Sequence, residues 1–204
     1  MPFMENNYQY IDPDFQYIGK NGVLHNLANI DNEKVLLAYE SLQVSKRLEE
    51  LYENPIQIKN SNGLLAIHKH LFQDIYAWAG KLRTVNISKG GKPFFDGERF
   101  PTAFMYIDTL VAEYKKIRKM DKQALAQKLA EILDNVNYLH PFREGNGRTQ
   151  REFLRLLALE KGLMLNLNPP DNTEVYERYM QGTIDSDVPK LTDLILELIS
   201  NQKT

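Results

Sequence analysis

The sequence predicts an all-α fold, a compact helical bundle with one small β-hairpin inserted between its second and third core helices. Three observations carry that prediction. Apolar residues recur at helical spacing through most of the chain, the period changes once to short strands around a glycine turn, and no composition break divides the 204 residues into domains. A hydrophobic content of 43% in a chain of this length is enough to bury one core. The expected organisation is a single domain over 31–204 preceded by an N-terminal arm, 1–30.

The arm is rich in tyrosine and turn formers, with Tyr8, Tyr10, Tyr17, Asp12-Pro13 and the run from Gly19 to Gly22. It reads as an irregular segment packed onto the domain by its rings, which bury large areas per residue. From Asp31, the residues Val35, Leu36, Tyr39, Leu42, Val44, Leu48 and Leu51 approximate a helical period, closed near Glu53 by Asn54-Pro55. A second helix is expected over Leu64 to Trp78, stopped by Gly80. Its His68 and His70 stand two apart and point to different sides, so both read as structural histidines and not as a metal pair. Then Thr84–Ser88 and Pro93–Phe95 flank Lys89-Gly90-Gly91-Lys92 as two strands around a tight turn. Such a hairpin is either a connector or a flap whose strand edge pairs with an incoming extended peptide. A third helix starts at Pro101 and runs through Phe104, Ile107, Leu110, Val111 and Tyr114 into the basic stretch Lys115 to Lys122, a solvated helix end. A fourth spans Leu125 to Tyr138. After the next helix, Gly162 to Pro170 is a linker with Leu163, Leu165 and Leu167 alternating, followed by helices over Thr173 to Ile184 and Leu191 to Ile199.

Charge and composition remove several function classes. A net charge of −2 gives no global attraction to nucleic acid, and the basic run lacks interleaved aromatics. Cysteine is absent, which excludes disulfides and thiolate metal sites and fits a reducing cytoplasm. No apolar run reaches membrane-spanning length and no signal peptide is recognisable, so the sequence reads as a soluble intracellular protein.

The chemistry concentrates in His140-Pro141-Phe142-Arg143-Glu144-Gly145-Asn146-Gly147-Arg148-Thr149-Gln150-Arg151. Gly145 and Gly147 can take backbone conformations barred to other residues, so that successive N–H groups converge with those of the following helix on one anion, for which phosphate is the natural guest. Arg148 and Arg151 lie three apart and can grip phosphate oxygens from one side of that helix. His140 titrates near neutrality and can accept a proton from a hydroxyl attacking phosphorus. Glu144 is suited to a magnesium ion shared with the phosphates. Phe142 reads as an anchor of the loop in the core and Pro141 as a conformational lock.

This stretch resembles the full signature of Fic-domain proteins (filamentation induced by cAMP): His-Pro-Phe, any residue, Asp or Glu, Gly-Asn-Gly-Arg, two variable residues, Arg. Ile67-His68-Lys69-His70-Leu71-Phe72, Trp78 to Val85 and Gly22-Val23-Leu24 are similar to further segments of that family. The resemblance implies the family's helical fold and transfer of AMP from ATP to a hydroxyl side chain (Tyr, Thr or Ser) of a target protein, with pyrophosphate released. Carried over by position, His140 is the base, Glu144 the magnesium ligand, and Asn146, the amides around Gly145 and Gly147, and Arg148 the holders of the α- and β-phosphates. Arg151 contacts the γ-phosphate. Residues Asn86, Ile87, Ser88, Lys89, Gly90, Gly91 and Lys92 match the target-docking flap, and Tyr176 and Tyr179 are aromatic candidates for the adenine, with a core role the alternative. Doc-type relatives, which phosphorylate instead, carry lysine at the position of Gly147.

Many family members carry an inhibitory helix with Ser or Thr, three residues, Glu, then Gly or Asn. Ser45 to Glu49 matches until Glu50 and lies inside an apparent core helix. The resemblance therefore implies that an inhibitory glutamate, where one acts, comes from a separate antitoxin-like protein. Expected partners are thus a hydroxyl-bearing target protein and that inhibitor, with no nucleic acid substrate and no membrane. The expected location is cytoplasmic, with export as an effector left open. The competing function classes are a nucleotide- or protein-binding module without turnover, and Doc-like protein phosphorylation.

Overall fold

In the computed structural model, the residues described are Tyr8–Tyr10 and 15–200. Asp12-Pro13 of the arm lies outside them. Seven α-helices occupy the described residues: α1 Glu33–Glu53, α2 Asn62–Phe72, α3 Phe100–Lys116, α4 Lys122–Leu139, α5 Asn146–Glu160, α6 Thr173–Asp185 and α7 Val188–Ser200. Local chemistry fixes several starts. Asn32 caps α1 by accepting the Val35 N–H, and Asp121 caps α4 by accepting that of Ala124, each relieving one of the donors a helix start leaves unpaired. Helix α4 forms the centre: it packs against α3, α5, α6 and α7, and its Leu125, Leu129, Ile132 and Leu133 are fully buried. Helix α2 lies between α1 and α5. The alternating linker leucines Leu163, Leu165 and Leu167 all reach the core while Met164 is exposed.

Three differences from the expected elements have physical causes. Helix α2 ends at Phe72 and not at Trp78, because the chain closes into turns in which Ile75 and Tyr76 both donate to the Phe72 carbonyl. The Gly80 N–H then returns to Nδ1 of His68 at 2.8 Å. The apolar spacing persists through those turns, which is why it looked helical. The hairpin strands are shorter than expected, with β2 covering Ile87–Lys89 and β3 Lys92–Pro93. Arg83 takes the chain out of any ladder here: its N–H bonds the Pro141 carbonyl and its guanidinium bonds that of Val85 at 2.7 Å. Finally, part of the arm is regular. Tyr8–Tyr10 forms a strand, β1, that pairs antiparallel with β2, giving a sheet of order β1-β2-β3. Farther along the arm, Tyr17 is buried edge-on against Trp78 with its hydroxyl on Thr84.

Candidate active site

The signature forms the junction between α4 and α5. His140 is the C-terminal cap of α4 in the left-handed region, at φ 44°, a conformation uncommon outside glycine that the following Pro141 disfavours further for its neighbour. The surroundings hold it there. Its carbonyl accepts from Nε of Arg83 at 2.8 Å and its Nδ1 lies 3.0 Å from the Asn137 carbonyl. A carbonyl can only accept, so Nδ1 carries the proton and Nε2 is the basic nitrogen. The ring is stacked on Phe94, centroids 3.8 Å apart, at the end of the hairpin. Stacking covers a face of the imidazole and fixes its plane while leaving the in-plane direction of Nε2 uncovered by that contact. Burial holds the imidazole far below its ordinary pKa, to about 3, so it is neutral at physiological pH.

The loop beyond is tied at each step. Asn146, buried at the start of α5, accepts the Phe142 N–H at 2.9 Å and donates to the Phe142 carbonyl at 2.7 Å. Its amide therefore pins the loop, in addition to any part its position plays toward phosphate. Phe142 is buried against His68 at 3.8 Å between centroids, which bears out its reading as an anchor. His68 is the structural histidine the sequence suggested. Its Nδ1 accepts from Gly80, so Nε2 donates to the Glu144 carbonyl at 3.0 Å, and burial lowers its pKa to about 3. His70 points elsewhere, onto the Arg47 carbonyl of α1.

Gly145 caps α5 at φ +82°, and a Cβ there would lie 2.3 Å from Cζ of Phe72. Only glycine fits. Gly147 does not share that conformation: it is the second residue of α5, where a Cβ would meet only Nη1 of Arg151 at 3.3 Å. Its lack of a side chain leaves the helix surface low beside Arg151. Glu144 accepts from its neighbour Gly145 N–H at 2.9 Å, and burial raises its carboxyl pKa, with Arg148 pulling the other way. Among the described residues no group of three or more acidic or histidine side chains could hold a metal by itself. One carboxylate beside a helix start fits an ion that brings waters and phosphate oxygens as its other ligands.

Two further residues were missed by sequence reasoning. Glu40 of α1, buried, holds Nη2 of Arg148 at 2.5 Å, and Tyr76 donates its hydroxyl to the other carboxylate oxygen. Arg148 also lies 3.6 Å from Glu144 and over the Phe72 ring. Burial opposes its charge, yet Glu40 and Glu144 prevail and raise its pKa. The signal was present: Glu40 occupies the stripe Leu36, Glu40, Val44, Leu51 that α1 buries, an acid at a core position. Arg83, the second, gives its Nη2 to the Phe95 carbonyl and Nη1 to Asn86 besides its bonds to Val85 and His140, joining hairpin and loop.

Arg151 makes no ion pair among the described residues, and its guanidinium lies 5.6 Å from the ring centres of both Tyr176 and Tyr179. Tyr179 is buried with its hydroxyl on Gln150 at 2.5 Å, a core placement, whereas Tyr176 is half-exposed. Arg148, Arg151 and Arg155 line a cleft of about 220 Å³ between α1 and the segment 165–170. Ser45 and Glu49 are exposed on α1.

The comparisons with known proteins agree with this geometry. The profile of the Fic/DOC family matches residues 58–158, which hold the hairpin and the whole signature. The chain is 34% identical over 171 residues, 83% of its length, to the protein adenylyltransferase VbhT of Bartonella schoenbuchensis, of which it spans 34%. It is 34% identical to y4lH of Sinorhizobium fredii, covering 78% of this chain and 82% of that protein, and 32% identical to Fic of Escherichia coli, covering 87% and 88%. Both are named as probable protein adenylyltransferases. Among solved structures, the fold matches the N-terminal Fic domain of a Bartonella effector protein from Bartonella sp. AR 15-3, with TM-score 0.81, 24% identity and 92% of each chain covered. It also matches the BepC protein of Bartonella tribocorum with bound AMPPNP, with TM-score 0.78, 20% identity, and 93% of this chain and 98% of that one. With the signature, the helical scaffold and relatives covered over most of their length all in agreement, the chain belongs to the Fic/DOC family.

Proposed function

We propose that the chain is a protein adenylyltransferase that moves AMP from ATP to a hydroxyl side chain of a target protein. The observation that carries this reading is the His140 ring, held with Nδ1–H on the Asn137 carbonyl so that Nε2 is the basic nitrogen, in the loop that leads into the start of α5. The relatives named protein adenylyltransferases support it, as does the AMPPNP bound in BepC.

In this reaction Nε2 of His140 takes the proton of the target hydroxyl as its oxygen bonds to the α-phosphorus. The bond from that phosphorus to the bridging oxygen of the β-phosphate breaks, and pyrophosphate leaves. Arg148, Arg151 and the free N–H groups at the start of α5 hold the phosphate oxygens and the charge that builds on the leaving group. Glu144 would hold magnesium, which when bound neutralises phosphate charge. Residues 86–92 receive the target as an extended segment, and Tyr176, half-exposed beside Arg151, is the better placed of the two tyrosines for the adenine. Arg151, without an ion pair among the described residues, is suited to a carboxylate from a separate antitoxin-like inhibitor. No described helix is long and apolar enough to cross a membrane. We place the activity in a cytoplasm, either of the producing cell or, as for the neighbours described as VirB-translocated effectors, of a recipient.

Incubation with a cell lysate and α-labelled ATP tests the reading. Labelled protein is expected, reduced about 10²–10⁴-fold by His140→Ala. Label appearing only from γ-labelled ATP would assign phosphorylation instead, and nucleotide binding without label in any protein would leave a binding module.

A further inference from the structure

The hairpin has one edge able to take up a strand, and that edge is occupied. Ile87 gives its carbonyl to the Phe94 N–H at 3.1 Å, and Lys89 stands opposite Lys92 in the same ladder. Along an antiparallel strand the main-chain groups of successive residues turn to opposite neighbours, so those of Ser88 turn away from β3. The outward side of β3 is closed to a partner. Pro93 has no N–H, the Phe94 N–H is spent on Ile87, and Phe95 donates to the Tyr138 carbonyl at 3.0 Å. The outer edge of β2 is therefore the hairpin's docking edge, with Ser88 at its centre. In register, Gln9 faces Ser88, Tyr8 faces Lys89 and Tyr10 faces Ile87.

We propose that β1 is a resident occupant of the target-docking edge, and that a target segment gains the edge by exchanging with Tyr8–Tyr10. This rests on the reading of the chain as a protein adenylyltransferase whose hairpin receives its substrate. Its geometry suits exchange. The strand is three residues long and pairs with β2 alone, and the alternation leaves Gln9 with Ser88 as its single closely bonded pair. The arm stays anchored when β1 leaves, because Tyr17 is held separately by Trp78 and Thr84. A strand on so short a tether competes at an effective concentration on the order of millimolar. Segments that offer main-chain pairing alone are thereby excluded, and the edge yields to a target that adds side-chain contacts of its own.

Two variants test this against the full chain: deletion of residues 1–14, and Gln9→Pro, which removes the N–H facing Ser88. The Ser88 amide is expected to exchange with solvent at least about tenfold faster in both, a few bonds being all that protects it. A synthetic peptide of residues 6–12 should bind the deletion variant and not the full chain. Label transferred from α-labelled ATP into lysate protein should rise about three- to tenfold in both variants at unchanged KM for ATP. Unchanged Ser88 exchange, equal peptide binding to the two chains, or transfer that stays level or falls would each overturn the proposal. If no form of the chain transfers AMP, that failure belongs to the adenylyltransferase reading, and amide exchange with peptide competition still decides whether β1 is a displaceable occupant.

Discussion

The hairpin turn at Gly90-Gly91 and the loop ending at Gly145 both rely on left-handed glycines, at φ +56°, +76° and +82°, yet their surroundings are opposite. A Cβ at Gly90 or Gly91 would meet nothing within 4 Å, while at Gly145 it would strike the Phe72 ring. The tip of the hairpin stands in open space while its base is packed, and the loop is packed throughout, with polar groups tied to α2, α4 and Arg83. The proposed function would use both: a fixed base and phosphate cradle, and a receiving edge that can change partners. The difference teaches that glycine content says where the backbone must turn and nothing about how rigid the turn will be.

The strongest way to break the comparison is to cut Arg83, whose hydrogen bonds join the two regions. Arg83→Met removes the donors to His140, Val85, Asn86 and Phe95, and a buried acceptor left alone costs about 1–3 kcal/mol. A loss of about 3–5 kcal/mol is expected in urea unfolding, with hairpin amides losing protection first. Arg83 remains charged at neutral pH even though burial lowers its pKa to about 10, so the substitution also removes a cation from the base of the flap. Next in size is Gly145→Ala, which combines overlap with Phe72 and left-handed strain. It should cost about 2–4 kcal/mol, against about 1 kcal/mol for Gly91→Ala, where strain acts alone. Equal urea midpoints for the two variants would remove the distinction drawn here.

Acid sharpens the same contrast. His68 and His140 both have folded pKa values near 3, below the ordinary value of 6.5, so the unfolded chain binds protons first as pH falls. Their contribution is intact above pH 6.5 and is lost from there down towards 3, by about 2 kcal/mol per histidine between pH 6.5 and 5. The groups around the two rings are the Arg83, Lys89 and Arg148 cations, which act in the same direction. The loop should therefore loosen before the hairpin on acidification, as read by amide exchange at pH 7 and pH 5. A stability flat across that range would show that neither ring is held neutral.

Much of this was legible in the sequence because it is local. The helical periods from Asp31 and over Leu125 to Tyr138 follow from apolar spacing, although α4 starts earlier, at Lys122 behind the Asp121 cap, and the signature places its histidine, loop and arginines within twelve positions. What escaped was long-range or mimicked a local pattern. Glu40 meets Arg148 across the fold, and a glutamate on a helix ordinarily reads as solvated. Val35 and Leu42, counted towards the core by spacing, are exposed at 55% and 68%, and Glu40 takes the inward position. The end of α2 was hidden because Ile75, Tyr76 and Ala79 remain buried in turns. Strand β1 was unreadable because its partner among the described residues, β2, is remote in sequence and its pairing uses main-chain groups, which nearly any three residues possess.

The contact between Glu40 and Arg148 has a consequence for how the site takes up charge. The guanidinium is already paired with an acid from α1, so on the proposed function a polyphosphate reaching Arg148 would compete with Glu40 for the same cation. The affinity gained there is the difference between two ion pairs, each weakened by salt. Nucleotide uptake should accordingly be less sensitive to ionic strength than the three arginines of the cleft would suggest, and a Glu40 displaced in this way would keep the Tyr76 hydroxyl as a partner.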